Sequence, residues 1–406
     1  MSSWLRVRPS CNCRMSVRRI VNEIAETPSR EWVSSLPPSH LTLIPLLFFV
    51  STFYRLSLSV RRQLYSIGLF RRHSLPVPVM SVGNLTWGGN GKTPMVEYIA
   101  RCFTNAGISP LILTRGYGGA DEAKMLQRHL IDTSTKIGVG ANRAMTAATF
   151  FQKYGYINFH GISSSDRHVS NNTSSNTSNL IKIGAAILDD GMQHLCLRRD
   201  IDIMMVNGMM PWGNGNLLPL GSLREPLTGL NRADVVVIHH ADLVTEQNLE
   251  AIKSTIWELK ASLPIFFSKM EPSYFLKADN PSCKLPLSAV SNAAVLCVSA
   301  IGSPDSFFKT IKMMGPLYVD RIDFSDHHLF QIRDFDVMRK RVEKLHVKST
   351  LKPVVVLTEK DYDRDPDMFR QLEPYEVLIL CSLLQIVTHE SRTENDFIEF
   401  LKQCLS

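Results

Sequence analysis

The sequence has few cysteines in positions where they could act together. Its eight cysteines are scattered over 406 residues, and no pair has the C-x-x-C spacing of zinc or redox sites. Cys11 and Cys13 are separated by one residue, which is too close for a zinc knuckle. We therefore expect reduced cysteines and no structural metal site.

Lysine is absent from the first 75 residues, and acidic residues are absent before Glu23. Eleven arginines against three glutamates give this extension a net charge of +8, so residues 76–406 sum to −1. The basic excess belongs to the extension, and the body of the chain gives no support for nucleic acid as a partner.

The N-terminus also lacks the apolar h-region of a secretory signal. Residues 1–35 are instead rich in arginine and serine, which is typical of an organelle transit peptide. The alternative is a disordered basic arm. Mitochondrial import is the simplest interpretation, and a plastid address has a similar composition.

A predominantly apolar run of the ~20 residues needed to span a membrane is missing. Leu41–Tyr54 supplies fourteen residues, closed by Arg55 and followed by further arginines that include Arg61 and Arg62. Pro45 and this basic flank predict a segment, within residues 40–75, that lies in or dips into a membrane surface. The alternative is a buried core helix.

The glycine-rich stretch Val79–Pro94 predicts a buried strand, a glycine-rich turn and the first turn of a helix. Such a turn lets backbone N–H groups converge on an anion at the positive end of the helix. Lys92 can reach the β- and γ-phosphates of a nucleotide, and the Thr93 hydroxyl can bind Mg²⁺. Pro94 is tolerated in the first helical turn.

The match to the general phosphate-loop pattern G-x-x-x-x-G-K-[ST] is incomplete. Thr86 occupies the position of the leading glycine, although Gly91, Lys92 and Thr93 fit. A glycine-rich turn with a chance lysine is the alternative. The strand before the turn and the helix after it favour phosphate binding.

The rest of the chain alternates short apolar runs with segments of helical periodicity. This pattern predicts an α/β protein of P-loop NTPase type, with parallel sheets, flanking helices and ligands at the carboxyl ends of the strands. We expect a nucleotide- and lipid-binding domain at residues 76–265, with a low-complexity insert at 162–179, and a smaller α/β domain at 266–406. Another helix is expected to open at Gly138–Arg143.

Three further segments carry candidate chemistry. The apolar run 181–188 ends in Asp189 and Asp190, the arrangement of a carboxylate that holds Mg²⁺ behind a phosphate loop. The long irregular segment 213–226 carries Arg224, which could neutralise developing charge or hold an anionic substrate. Asp121 and His327 are candidate parts of a base, in which a carboxylate orients an imidazole. A polar turn is the alternative for His327.

Eight motifs together resemble the tetraacyldisaccharide 4′-kinase family, over about residues 40 to 400 and in the family's order. They are VGNLTWGGNGKTP (82–94), RGYGG (115–119) with ADEAKML (120–126), GVGANR (138–143), ILDDGMQH (187–194), GNGNLLPLGSLREP (213–226), IGSPDSF (301–307), DHHLF (326–330) and TEKDY (358–362). This resemblance implies a two-domain P-loop kinase with an N-terminal membrane-dipping helix. It also implies ATP and Mg²⁺ as cofactors and a glycolipid, tetraacyldisaccharide 1-phosphate, as the substrate converted to lipid IVA in lipid A biosynthesis.

The resemblance assigns roles by position. Asp121 and His327 match the residues that deprotonate the 4′-hydroxyl, and Arg224 matches a residue near the substrate headgroup. The metal-binding positions are Thr93, Asp189, Asp190 and Glu225. Thr86, Trp87, Gly88, Gly89, Asn90, Gly91, Lys92 and Thr93 match the nucleotide-binding loop, including the threonine in place of glycine.

The chain departs from the family at Ala120 and Ala123, which replace a glycine and a proline, and in the shorter spacing between Gly119 and Asp121. The Arg-rich presequence and the 162–179 insert are additions that suggest an organelle-directed member. No obligate protein partner is implied. The alternative function is a P-loop NTPase switch or assembly factor at an organelle membrane, although Thr358–Asp361 does not fit the Asn-Lys-x-Asp of a guanine-type switch.

Asp121→Ala is expected to lower kcat by about 100-fold or more, because a general base contributes roughly this much. ATP binding should change far less. The two effects are separated by steady-state kinetics and an equilibrium ATP-binding assay. Equal losses in turnover and in ATP affinity would show that Asp121 is a nucleotide ligand instead.

Overall fold

A computed structural model describes residues 17–116, 121–157, 181–349, 351–390 and 392–403. The beginning of the expected presequence and the insert at 162–179 lie outside these ranges, as do the side chains of Arg18, Arg19, Asp121 and Lys348. The chain forms two compact units. The smaller contains Met1–Arg62 and Trp212–Pro226, and the larger contains Gln63–Pro211 and Leu227–Ser406.

The larger unit is built on one mixed sheet, which has twelve strands within the described ranges. The strands are β1 (Val79–Gly83), β2 (Ser109–Thr114), β3 (Lys136–Val139), β4 (Ile183–Asp189), β5 (Ile201–Asn207), β6 (Val235–His239), β7 (Ile265–Lys277), β8 (Lys284–Leu285), β9 (Ala294–Ser299), β10 (Tyr318–Asp323), β11 (Pro353–Thr358) and β12 (Glu376–Val387). Their order is β10-β9-β11-β12-β7-β6-β5-β1-β4-β2-β3, and β8 pairs with β7.

The helices precede the sheet, connect its strands or, in one case, follow its last strand. They are α1 (Val17–Glu26), α2 (Trp32–Ser35), α3 (Pro38–Leu41), α4 (Ile44–Ser66), α5 (Lys92–Asn105), α6 (Asp121–His129), α7 (Arg143–Tyr154), α8 (Glu246–Leu259), α9 (Pro304–Met313), α10 (Ile332–Ser349), α11 (Glu359–Arg364) and α12 (Glu394–Lys402). Asn142 caps α7 by accepting a hydrogen bond from the Met145 N–H at 3.1 Å. The helix expected to open at Gly138 therefore begins later, since residues 136–139 form β3.

β1 lies at the middle of the sheet, parallel to β4 on one side and to β5 on the other. Every residue of these three strands is buried, as expected for parallel strands covered on both faces. Met95 and Ile99 of α5 pack on one face of the sheet, and Phe151 of α7 packs on the other. Each such side chain contributes about 1.5–3 kcal/mol through burial.

The strand β7 interrupts the parallel order, because it pairs antiparallel with β12 and with the short β8. The long strands β7 and β12 run side by side in opposite directions, with Val387 opposite Phe267. This pair joins the strands around β1 to the parallel set β10-β9-β11, so the sheet is continuous across the larger unit. The α/β class with flanking helices is confirmed, and the expected division of the chain near residue 266 stays a prediction.

The smaller unit contains an apolar helix longer than the fourteen-residue run suggested. α4 extends for 23 residues through Arg55, Arg61 and Arg62. Within the described ranges, Pro38–Ser66 is the helical segment long and apolar enough to cross a membrane, which is weak evidence by itself. Only 11% of its most apolar window is buried, which counts against the core-helix alternative.

Asp361 joins the start of α11 to the end of β9. Its carboxylate accepts hydrogen bonds from the Ala300 N–H at 3.1 Å, the Thr358 hydroxyl at 2.7 Å and the Arg364 guanidinium at 3.1 Å. Asp361 is fully buried and Arg364 nearly so. Because water does not reach these groups, the hydrogen bonds of Asp361 and Arg364 hold the turn in place.

Asp361→Ala should lower the free energy of unfolding by about 3–5 kcal/mol, because it removes a charge that the buried Arg364 guanidinium contacts. Asp367→Ala is the matched control. It removes an exposed Asp–Arg pair of the same spacing, Asp367 with Arg370, and should cost less than about 1 kcal/mol. Urea unfolding of both variants measures the difference. Equal losses would contradict a structural role for the buried pair.

Candidate functional site

The glycine-rich segment forms a tight loop between β1 and α5. Gly91, the last residue before α5, has a φ of +74°. A Cβ at this position would lie 2.5 Å from the imidazole of His239, a buried residue at the end of β6. Glycine is therefore required at Gly91 both by its conformation and by the space available.

Hydrogen bonds inside the loop explain the threonine that stands in place of a leading glycine. The Thr86 hydroxyl donates to the Asn90 side-chain oxygen at 3.1 Å, and the Asn90 amide donates to the Gly88 carbonyl at 2.6 Å. The Asn84 amide donates to the Thr86 carbonyl at 2.5 Å. All three polar residues are buried, so the loop holds its own shape.

A second glycine turn packs against the first. A Cβ on Gly302 would lie 2.0 Å from the Gly89 nitrogen, and a Cβ on Gly89 would lie 2.7 Å from the Ser303 nitrogen. The Asn207 amide, at the end of β5, donates to the Gly89 carbonyl at 3.0 Å. The two turns meet backbone to backbone, which no other residue type would allow at these positions.

Asp189 ends β4 beside the loop. It is buried, and its Oδ1 atom has no hydrogen-bond partner among the described residues. Burial raises the pKa of Asp189 to about 7, with help from the charges of Glu122 and Asp190 and against those of Lys92 and Arg143. The Lys92 ammonium lies 3.6 Å from the Asp190 carboxylate. The structure thus brings the loop lysine and the two aspartates together.

Arg143 supports the aspartates from α7. Its guanidinium donates to the Asp189 carbonyl at 2.6 Å and to the Asp190 carbonyl at 3.4 Å. Burial lowers its pKa, opposed by the two carboxylates. The sequence placed Arg143 in a motif without a role. Asn142 could have indicated this role. An asparagine is a favoured N-cap, so Arg143 is expected in the first turn of α7, at the edge of the sheet where the strands end.

His327 lies within a second polar cluster of the larger unit. Its backbone N–H donates to the Ala300 carbonyl at 3.2 Å. The Lys360 ammonium lies 3.3 Å from the imidazole Nε2, 3.4 Å from a Glu122 carboxylate oxygen and 3.5 Å from an Asp326 carboxylate oxygen. Because Glu122 also acts electrostatically on Asp189, it connects this cluster to the end of β4.

Asp121 begins α6, immediately before Glu122, and its side chain lies outside the described part of the structure. Its pairing with His327 therefore stays a prediction. Glu122 and Lys360 were missed as site residues. Lys360 stands in Thr358–Asp361, which does not fit a guanine-type switch, and Glu122 stands in the motif ADEAKML with no role assigned to it.

Arg224 and Glu225 belong to the smaller unit. The Glu225 carboxylate forms an ion pair with the Arg62 guanidinium of α4, and the Tyr54 hydroxyl donates to the Arg224 carbonyl at 2.9 Å. The Ser51 hydroxyl donates to the Leu217 carbonyl at 3.0 Å. Within this unit, α4, the helix with the exposed apolar side chains, therefore holds the irregular segment 213–226 in place. The substrate and metal roles of Arg224 and Glu225 stay predictions.

The residues around Lys92 suit a phosphate and a cation together. A helix N-terminus with a lysine attracts phosphate oxygens. The unpartnered Oδ1 of Asp189 offers an acceptor to a cation, although no group of three or more His, Cys, Asp or Glu side chains forms a closed metal cage in the described residues. Mg²⁺ needs no such cage, since it is usually bound by one or two carboxylates together with substrate phosphates and water.

Comparison with known proteins gives a consistent result. The sequence model of the family described as tetraacyldisaccharide-1-P 4′-kinase (LpxK) matches residues 43–405. The chain is 53% identical over 371 residues to a probable mitochondrial tetraacyldisaccharide 4′-kinase of Arabidopsis thaliana, covering 91% of this chain and 92% of that protein. It is 30% identical over 329 residues to the tetraacyldisaccharide 4′-kinase of Halothermothrix orenii, covering 78% and 81%.

Among solved structures, the fold is similar to LpxK from Aquifex aeolicus, a structure described as in complex with ATP. The TM-score is 0.57 at 23% identity, and the match covers 90% of this chain and 99% of that one. At this identity the likeness supports the fold.

Asp189→Asn should stabilise the protein at pH 8 in EDTA. The folded carboxyl, with a pKa of about 7, holds a proton that the unfolded one, at 3.8, has lost. Stability therefore falls as pH rises from about 4 to about 7, and the asparagine variant escapes this loss. We expect a gain of about 1–4 kcal/mol at pH 8 and a smaller gain at pH 5.

Urea unfolding at the two pH values measures this gain, with Asp132→Asn, an exposed carboxylate, as the control. A gain that does not change with pH would contradict the raised pKa of Asp189.

Proposed function

The chain belongs to the tetraacyldisaccharide-1-P 4′-kinase family, and we propose that it transfers the γ-phosphate of ATP to the 4′-hydroxyl of a tetraacyldisaccharide 1-phosphate. The products are lipid IVA and ADP, a step of lipid A biosynthesis. The observation that carries this proposal is the position of Lys92, which begins the helix after the glycine loop and lies 3.6 Å from Asp190.

The chain's own residues divide the work of phosphoryl transfer. Lys92 and the loop from Thr86 to Gly91 bind the phosphates of ATP. Asp121 and His327 form the base for the 4′-hydroxyl: the carboxylate orients the imidazole, and the imidazole accepts the proton. The His327 backbone N–H donates to the Ala300 carbonyl. Arg224 binds an anionic group of the substrate.

Mg²⁺ fits the same edge of the sheet. Asp189, Asp190 and the Thr93 hydroxyl would hold it. When bound, the metal neutralises charge on the transferring phosphate. Arg143 then acts indirectly, because its hydrogen bonds to the Asp189 and Asp190 carbonyls fix the direction of both carboxylates.

The glycolipid substrate implies a membrane, and the surface of α4 fits this. Its exposed side chains include large apolar ones, Phe48, Phe49, Phe53 and Leu56. Arg55 lies among them, Arg61 follows them, and both can meet anionic headgroups. We place the protein at a mitochondrial membrane, in line with the name of the Arabidopsis relative, and the plastid is the alternative.

Lys92→Ala should lower phosphorylation of the disaccharide by about 100-fold or more, because preorganised charge on a transferring phosphate contributes this much. Thin-layer chromatography of the full chain with ³²P-labelled ATP and tetraacyldisaccharide 1-phosphate measures the product. Lys344→Ala, which removes an exposed lysine of α10, is the control.

Full activity of the Lys92→Ala variant would contradict the proposed kinase function. A reaction without lipid distinguishes the competing function. ATP hydrolysis in that reaction, with no phosphorylated lipid when the disaccharide is present, would favour a P-loop switch.

A further inference from the structure

A cluster of five ionisable side chains joins three helices of the larger unit away from the phosphate loop. Glu97 lies on α5, Arg128 and His129 end α6, and Glu359 and Asp363 lie on α11. We call these five residues the His129 network. The His129 side chain is 11% exposed and the three carboxylate side chains are 7–10% exposed, so these four groups are largely shielded from water, while Arg128 is 39% exposed.

Both ring nitrogens of His129 face carboxylate oxygens. Nδ1 lies 2.7 Å from Glu97 and Nε2 lies 2.9 Å from Glu359. An ionised carboxylate can only accept hydrogen bonds, so both nitrogens must carry protons and the ring is an imidazolium. Burial favours the neutral ring, but the two carboxylates outweigh it and raise the pKa of His129 to about 9.

Charged groups from every neighbouring helix complete this environment. Arg101 of α5 bonds the Glu97 carboxylate and the His129 carbonyl. Arg128 bonds Glu359 at 2.8 Å and Asp363 at 2.9 Å. The Cys381 thiol of β12 lies beside Glu359, and its own burial, together with the Glu359 charge, raises the pKa of this thiol. The two arginines stay charged throughout the accessible pH range, which leaves His129 as the titrating cation of the network.

The network ties α6 to two other helices at the end opposite Asp121. Glu97 lies five residues after Lys92 on the helix that begins at the phosphate loop. Glu359 immediately precedes Lys360, which contacts Glu122 and His327. Consecutive residues of α11 therefore hold both ends of α6, Glu359 through His129 and Lys360 through Glu122. These two ends are about 10 Å apart along the helix.

We propose that His129, as an imidazolium, is a positioning residue for the phosphoryl transfer: its bonds to Glu97 and Glu359 fix α6, and with it Asp121 and Glu122, relative to Lys92 and His327. This inference rests on the proposed function. Without the charge, Glu97 and Glu359 face an uncharged ring that cannot donate to both. The beginning of α6 then loses its fixed placement, while the phosphate loop keeps its own hydrogen bonds.

The pH dependence has a definite direction. The imidazolium is present below pH 9 and is lost above it, so kcat of the wild-type protein should fall as pH rises through about 9. The KM for ATP should change little over the same range. A lysine at this position stays charged to higher pH, and its fall in kcat should move upward accordingly.

The test compares His129→Asn with His129→Lys in the full chain, with tetraacyldisaccharide 1-phosphate and ATP as substrates. At pH 7.5, His129→Asn should lower kcat by about tenfold or more, since misplacement by about 1 Å can cost 100-fold. The KM for ATP should change less than threefold. His129→Lys should retain kcat within about threefold. His389→Asn, which breaks a His–Glu pair with Glu246, is the matched control and should leave kcat unchanged.

Nuclear magnetic resonance of ¹⁵N-histidine-labelled protein checks the charge without any assay of activity. The His129 ring should show two protonated nitrogens at pH 7.5 and titrate near pH 9, and Glu97→Gln should lower that titration point. If His129→Asn does not fold, as judged by its circular dichroism, Glu97→Gln takes its place in the kinetic comparison, because it weakens the same bond without emptying the site.

Three results would overturn the inference. A neutral His129 ring at pH 7.5 would show that the imidazolium on which the inference depends is not present. A folded His129→Lys variant as impaired as His129→Asn shows that charge is not what matters. An active wild type with an equally active His129→Asn variant makes the network purely structural and leaves the proposed function intact. Absence of lipid product from the wild type is the distinct outcome that overturns the proposed function, and the positioning role with it.

Discussion

The buried carboxylate of Asp189 is the constraint on which the site depends. Its Oδ1 atom has no hydrogen-bond partner among the described residues, and burying the charged form of such a group is costly. The nearby Lys92 and Arg143 charges offset part of that cost. Those cations must in turn be placed by a helix after β1 and a helix after β3. The central position of β1, between β4 and β5, is what allows all three groups to meet. The fold therefore places the two cationic side chains that allow the Asp189 carboxylate to be buried.

Local patterns in the sequence predicted most of the buried elements but not all of them. β1 and β4 consist mostly of apolar residues and glycine, and the sequence predicts both for that reason. β10 was missed because its residues Asp320, Arg321 and Asp323 give no apolar run, and the strand forms at an edge where its backbone pairs with β9. β7 was missed because Lys269, Glu271 and Pro272 interrupt its pattern. Its length is set by pairing with β12, a partner about 110 residues away that no local pattern reveals.

The residues of the site divide in the same way, into those that a local pattern predicts and those that depend on distant neighbours. Lys92 and Asp189 were found because their spacing from strands is a local property. Glu122, Arg143 and Lys360 were not found, because their roles depend on which helices become neighbours. Glu359, Lys360 and Asp361 show the difficulty clearly. Three consecutive residues contact His129, His327 and the Ala300 N–H respectively, and nothing in a one-dimensional motif separates these directions.

The hydrogen bonds of the smaller unit have a consequence for the order of folding. Arg62 pairs with Glu225 across 163 residues of sequence, and the Ile24 carbonyl accepts from Asn214 across 190. The first helices therefore leave the ribosome, or enter an organelle, long before the segment that completes their packing. During that interval the apolar surface around Ile24, Leu36 and Leu47 has no Leu220 to cover it. A chaperone or a membrane surface that shelters these helices early would protect the chain from aggregation until residues 212–226 arrive.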